Sequence, residues 1–209
     1  MLDQKGFDLW ADGYDAAVGL FDENNAYPFA GYKEVLGRIF RTVMEKPGAA
    51  VLDVGFGTGT LTTKLYENGC TVYGQDFSAR MIELARDKMP DAVLVQGDFS
   101  TGLAPELRTK TYDFILLTYA LHHLDDAGKR SLIRELLRCL KPGGLLLIGD
   151  VAFRTQADLD ACRAAAGEDW DEDEFYFVYE DMRKAFPAME YEQISSCAGL
   201  MTMRKEALI

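Results

Sequence analysis

Ala50, Val51, Leu52, Asp53 and Val54 form a nearly unbroken apolar run that breaks at once into Gly55, Gly57 and Gly59, with a segment of helical period beginning at Thr60. A short apolar run without polar alternation is what a strand covered on both faces requires. Runs of the same kind at 71–75, 93–96, 112–118 and 144–151 alternate with helical patterns at 60–68, 78–88 and 127–140. This alternation predicts an α/β chain with a mainly parallel sheet, doubly wound by helices on both faces.

Local signals punctuate the pattern. Ser78 stands where a helix N-cap belongs, and Lys141, Pro142, Gly143 and Gly144 form a stop after the helix over 127–140. Beyond Val151 the rhythm changes. Helices are expected over 156–166 and 179–185, then a C-terminal β-hairpin pairing 190–195 with 200–204, with Ala198 and Gly199 supplying its turn. No repeat, low-complexity tract or linker divides the 209 residues, so one domain is expected, with an N-terminal helical cap or lid over 1–46, a ligand-binding core over 47–151 and C-terminal helices and hairpin over 152–209.

Charge and cysteine usage narrow the partners. A net charge of −12 opposes a polyphosphate backbone, so no nucleic-acid partner is expected and a small-molecule or protein substrate is favoured. Cys70, Cys139, Cys162 and Cys197 form no Cys-x-x-Cys pair and are read as free thiols. The start carries Asp3, Asp8, Asp12 and Asp15 rather than a basic end and an apolar run, and no stretch approaches the ~20 apolar residues of a membrane span. A cytoplasmic protein, monomer or homodimer, is the expectation. The acids of 168–174 around Trp170 are read as a solvated loop or helix start, and Asp125 and Asp126 as acids opening a helix; no metal is expected.

The glycine loop carries the first chemistry. Glycines between strand and helix let the backbone take left-handed dihedrals and meet a ligand with no Cβ in the way, while the free N–H groups of the helix start receive an anionic or polar group. A nucleotide-like cofactor is implied. A dinucleotide turn needs its third glycine at position 60, which is Thr60, so the loop is Gly-x-Gly-x-Gly instead. Asp76, closing the second strand, is placed to accept two hydrogen bonds from ribose hydroxyls, a use shared by nicotinamide enzymes.

Together with the Val-Leu-Asp that precedes it, this loop resembles the first motif of class I S-adenosylmethionine-dependent methyltransferases. Gly97, Asp98 and Phe99 match the family's pattern after the third strand, where an acid accepts from the adenine amino group and a neighbour packs the ring. The stretch from Tyr112 through Thr118, Tyr119, His122, His123 and Leu124 is similar to the family's fourth strand and the segment after it, and Lys141 to Val151 to its fifth. The resemblance implies a Rossmann-like fold and S-adenosyl-L-methionine as cofactor, held by Tyr14, Asp53, Gly55, Phe56, Gly57, Gly59, Asp76, Phe77, Asp98, Phe99 and Thr118. Phe56 departs from the small residue of many relatives and is expected to narrow or stack over the cleft.

Phe7, Asp8, Trp10, Ala11, Tyr14 and Asp15 resemble the opening segment of small bacterial methyltransferases of unassigned substrate, in which such a segment caps the cofactor. The implied acceptor side comprises Trp10, Tyr14, Tyr27, His122 and His123. Methyl transfer from a sulfonium is a displacement whose main demand is alignment, and a base serves only a nucleophile that starts protonated. His123 and Tyr119 are the candidate catalytic residues, against a structural role for each histidine; because adjacent side chains diverge, one histidine at most is expected to face the cleft. Neither an Asn/Asp-Pro-Pro-Tyr nor a Pro-Cys signature of base methylation is present. The expected function is methyl transfer to a small molecule; a protein or RNA methyltransferase, a catalytically silent S-adenosylmethionine-binding module and a nicotinamide oxidoreductase are the alternatives.

Overall fold

A computed structural model describes residues 26–206. Five strands are parallel: β1 (Ala50–Val54), β2 (Thr71–Asp76), β3 (Val93–Gln96), β4 (Tyr112–Thr118) and β5 (Leu140–Phe153). A two-residue β6 (Phe177–Val178) pairs with the carboxyl end of β5. The last two strands, β7 (Glu190–Gln193) and β8 (Ala198–Arg204), are antiparallel, and β8 inserts between β5 and β7. The sheet therefore runs in the order β3-β2-β1-β4-β5-β8-β7. The expected α/β architecture with a C-terminal hairpin is the one observed.

The apolar runs are explained by burial on both faces. In β4 and β5, Phe114, Leu116, Leu145 and Leu147 join one core, and Ile115, Leu117, Leu146 and Ile148 join the other. Helices α1 (Tyr32–Met44), α2 (Thr60–Glu67) and α3 (Ala79–Lys88) supply apolar faces to the first core. A single turn, α4 (Pro105–Arg108), precedes β4, and α5 (Asp126–Cys139) covers the second core. Helix α6 (Gln156–Ala166) comes after β5, and α7 (Tyr179–Ala185) adds to the second core. Ser78 caps α3 by accepting the Met81 N–H at 3.1 Å, as its position in the sequence implies.

Helix α1, grouped by the sequence with the N-terminal cap, packs on the sheet through Val35, Leu36, Ile39 and Val43. The approach is close because β5 has Gly149 beneath it: a Cβ there would run into Val35 and reach Ile39 Cδ1 at 3.3 Å. Among the described residues no helix is long and apolar enough to cross a membrane, and all four cysteines are free thiols.

Two expectations need correction. Ala198 and Gly199 are strand residues, and the turn is formed by 194–197. Gly199 is small because a Cβ there would sit 2.7 Å from the Tyr191 ring and 3.0 Å from Ala152, so it serves sheet packing rather than turning. The Lys141–Gly144 stop does end α5, but the chain is already in β5 from Leu140, where Gly143 and Gly144 exchange backbone hydrogen bonds of 2.9 Å with Lys205.

The sheet order reverses beside β1, whose neighbours are β2 and β4. In an open α/β sheet this opens a crevice beyond the carboxyl ends of the strands, where a ligand binds.

Candidate active site

The crevice is a cavity of about 570 Å³ whose floor is the loop after β1. Gly55, Gly57 and Gly59 all have left-handed φ values, +76°, +57° and +78°, but they do different work. A Cβ on Gly55 would lie 2.6 Å from Ala120 Cβ, so this glycine lets the loop pass the turn after β4. A Cβ on Gly57 would meet nothing within 4 Å. It would project into space that a ligand lying against the loop needs. Gly59 ends the loop at the α2 N-cap against Met89, Thr63 and Ala85 and is not among the residues that line the cavity.

Asp76 holds this loop. Its carboxylate accepts the Gly57 N–H and the Ser78 N–H, each at 2.9 Å, and it lines the cavity at the end of β2. Asp98, at the end of the next strand, accepts the Ser100 N–H at 2.8 Å and caps a short 3₁₀ turn over Phe99–Thr101, so that Asp98 and Phe99 face the same cavity as Phe77. Below them Asp53 is fully buried and accepts from the Thr62 hydroxyl; burial pushes its carboxyl up to about 7, Thr62 opposing and Asp76 adding to the shift. The Phe56 ring is buried against the backbone of β2 at Gly74, where a Cβ would come within 2.6 Å of it. Phe56 thus lines the cavity from below.

The opposite wall begins at the end of β4. Thr118 and Tyr119 line the cavity, and Tyr119 is the one non-glycine residue with positive φ among those described, at 49°, a conformation that costs of order 1–3 kcal/mol. Its ring is buried against Phe29 and Tyr32, with centroids at 5.5 and 4.9 Å. A 3₁₀ turn over Leu121–His123 comes next. Both histidines of this turn line the cavity, with ring centroids 4.2 Å apart and edge to face; the expectation that one at most would do so is corrected, because the His122 ring, held by Asp150 at its Nδ1, and the His123 ring pack edge to face on the same side of the turn.

The two rings have opposite electrostatics. Burial alone would lower His122, but Asp150, 2.6 Å from its Nδ1, and Glu174 raise it. His123 is pushed down to about 3 by burial and by His122. Asp150 is itself buried and accepts the backbone N–H groups of Leu121 and Val151 at 2.9 and 2.8 Å.

The acids of 168–174 are not simply solvated. Asp169, Asp171 and Glu174 line the cavity, and between them Trp170 stacks on Tyr27 at 5.1 Å and meets Tyr176 edge-on at 4.7 Å. Asp125 accepts the Gly128 N–H at 2.7 Å as the N-cap of α5, the role its position suggested. Of the residues singled out in the sequence, Tyr27, Asp53, Gly55, Phe56, Gly57, Asp76, Phe77, Asp98, Phe99, Thr118, Tyr119, His122 and His123 converge on one cavity. Phe7, Trp10 and Tyr14 lie outside the described residues. Asp150, Glu174 and Tyr176 were missed, although Asp150 is a lone acid inside the apolar run of β5, and that position was the available signal.

A methyltransferase-domain family model matches residues 51–144, the segment that builds the cavity floor and the β4 wall. An uncharacterized methyltransferase of Geobacillus thermodenitrificans (strain NG80-2) is 39% identical over 188 residues, covering 86% of this chain and 84% of the relative. Another, from Oceanobacillus iheyensis, is 32% identical over 213 residues and 96% of each chain. The chain is a class I S-adenosylmethionine-dependent methyltransferase. Solved structures show the same fold: the magnesium protoporphyrin IX methyltransferase of Synechocystis PCC 6803 with bound S-adenosylhomocysteine superposes with a TM-score of 0.68 at 18% identity over 85% of both chains. A TehB-like methyltransferase from Corynebacterium glutamicum gives 0.62 at 20% identity over 94% of this chain and 98% of its own.

The cavity of this methyltransferase suits its cofactor. The open side of Gly57, the Asp76 carboxylate and the Asp98–Phe99 pair offer a backbone surface, an acceptor for hydroxyls and an acid beside an aromatic ring, the contacts a nucleoside with an amino acid tail requires.

Proposed function

We propose that the methyltransferase acts on a small molecule, bound between the glycine loop and the wall formed by Tyr27, Tyr119, His122, His123, Glu174 and Tyr176. The observation that supports this most is the character of that wall. It is aromatic and acidic, and it closes one side of the cavity of about 570 Å³ that also takes the cofactor, which leaves an enclosed space on the acceptor side. Asp169, Asp171 and Glu174 at its edge oppose a phosphodiester backbone, which disfavours an RNA acceptor.

S-adenosylmethionine supplies a methyl group on a positively charged sulfur, already a good leaving group. The chain's own work is positioning. Gly57 leaves room against the loop, and Asp76, Phe77, Asp98 and Phe99 hold the nucleoside half, with Gly55, Phe56 and Asp53 beneath. Thr118 and Tyr119, at the carboxyl end of β4, set the acceptor's depth, and the aromatic faces of Tyr27 and Tyr119 exclude water and attract positive charge by ~0.5–2 kcal/mol. The two histidines meet the acceptor's nucleophilic atom.

The test is transfer of a labelled methyl group to fractionated cell extract. Label in the low-molecular-weight fraction is expected; label confined to protein or RNA would overturn the small-molecule reading, and no label in any fraction would favour a silent binding module.

A further inference from the structure

We propose that His122, His123 and Glu174 form a binding site for one divalent transition-metal ion of the zinc class on the acceptor side of the cavity. The ligand atoms of the three residues lie within 4.8 Å of one another. The direction of His122 decides which of its nitrogens is available. Asp150 accepts from Leu121 and Val151 backbone N–H groups and sits 2.6 Å from His122 Nδ1. An acid so placed is an acceptor, so Nδ1 carries the proton and donates it to Asp150. The Nε2 atom is then left as the ring's metal-binding atom.

That Nε2 is 3.5 Å from Glu174 Oε1. The separation is longer than the ~2.7–3.2 Å of an N–H···O hydrogen bond. It matches the edge of a tetrahedron around zinc, which is about 3.4 Å for bonds of ~2.0–2.2 Å. The carboxylate behind the histidine completes the arrangement, because metal-binding imidazoles characteristically donate their second N–H to a carboxylate that fixes ring and tautomer.

Glu174 is not on a loose loop. The next residue, Phe175, donates its N–H to the His122 carbonyl at 2.8 Å, and the fully buried Lys129 ammonium donates to the Phe175 carbonyl. The backbone that carries the carboxylate is therefore tied to the turn that carries both histidines. Two imidazoles and one carboxylate suit zinc and its first-row neighbours; magnesium and calcium prefer oxygen throughout. Three protein ligands leave a fourth position toward the cavity. Taken with the reading of this wall as the acceptor's, that position would receive water or the acceptor's own hydroxyl or thiol.

The experiment titrates cobalt(II) chloride into chelator-treated, full-length protein and follows the visible absorption of tetrahedral cobalt, then displaces it with zinc chloride. One cobalt per chain is expected, released by one zinc, with Glu174→Gln and His123→Asn each weakening binding by about tenfold or more and Asp150→Asn by about 10–100-fold. Circular dichroism shows that each variant is folded. Absence of a stoichiometric cobalt spectrum in the parent protein overturns the proposal, and so does a spectrum that all three variants retain at the same affinity. Calorimetry with S-adenosylhomocysteine on the same metal-free sample reads the cofactor site separately, so that failure of the metal site leaves the methyltransferase reading standing or fallen on its own result.

Discussion

The Asp76 carboxylate holds the Gly57 N–H at 2.9 Å, so the acid that ends β2 also fixes the glycine whose open side faces the cavity. The same carboxylate satisfies the N–H of the buried Ser78. Asp76→Ala is expected to weaken S-adenosylhomocysteine by about tenfold to a hundredfold, ~1.5–3 kcal/mol, and to lower stability as well, since two backbone donors lose their acceptor. Calorimetry and urea unfolding measure the two effects. Unchanged affinity would return Asp76 to a purely structural role.

Gly57 and Gly59 separate binding from folding. Alanine at either position takes a left-handed conformation at a cost of about 1–2 kcal/mol. At Gly57 the new methyl group enters the cavity, whereas at Gly59 it presses on Met89 Cε at 3.1 Å. Gly57→Ala is therefore expected to lose cofactor affinity far more than Gly59→Ala, and Gly59→Ala to lose at least as much stability. Equal loss of affinity in both would contradict the distinction.

The α1–β5 contact makes a test by paired substitution. Gly149→Ala should destabilise by about 1–3 kcal/mol, because its methyl group collides with Val35. Val35→Ala removes the obstacle at the expense of a cavity. The double variant should be more stable than the sum of the single effects by about 1 kcal/mol or more. Strict additivity in urea unfolding would show that α1 lies differently on the sheet.

Acid stability should depend on Asp113. Burial alone would raise its carboxyl, but Lys141 at 2.8 Å, Lys46 and the Ala50 N–H at 2.8 Å outweigh burial and hold it at about 2, below the ordinary 3.8. The unfolded chain then binds this proton first as pH falls. The contribution is complete above about pH 5 and is lost as pH drops from near 4 toward 2, an effect of about 1–2 kcal/mol after allowance for the exposed lysines. Asp113→Asn should flatten that part of the unfolding profile; an unchanged slope between about pH 5 and pH 2 would contradict it.

Burial on both faces made β1, β4 and β5 legible as apolar runs, and the loop chemistry of Gly57 and Asp76 is local enough to read from adjacent residues. The rest depends on contacts across the fold. Glu174 and Tyr176 reach the histidines because β6 pairs with the end of β5, at Ala152 and Phe153, and two residues of strand leave no periodic signal. Gly199 reads as a turn residue until Tyr191 and Ala152 are placed around it. The histidine pair sits in a 3₁₀ turn, a short element that neither helical nor strand periodicity marks, and the His122 ring is set by Asp150 from β5.

Whether the glycine loop and Asp76 hold S-adenosylmethionine rather than a nicotinamide dinucleotide is decided by calorimetric titration with S-adenosylhomocysteine and, separately, with NAD. Saturable binding of S-adenosylhomocysteine at one site per chain is expected, abolished by Gly57→Val and weakened by Asp76→Ala, with no heat from NAD. Binding of NAD with none of S-adenosylhomocysteine would contradict the cofactor assignment.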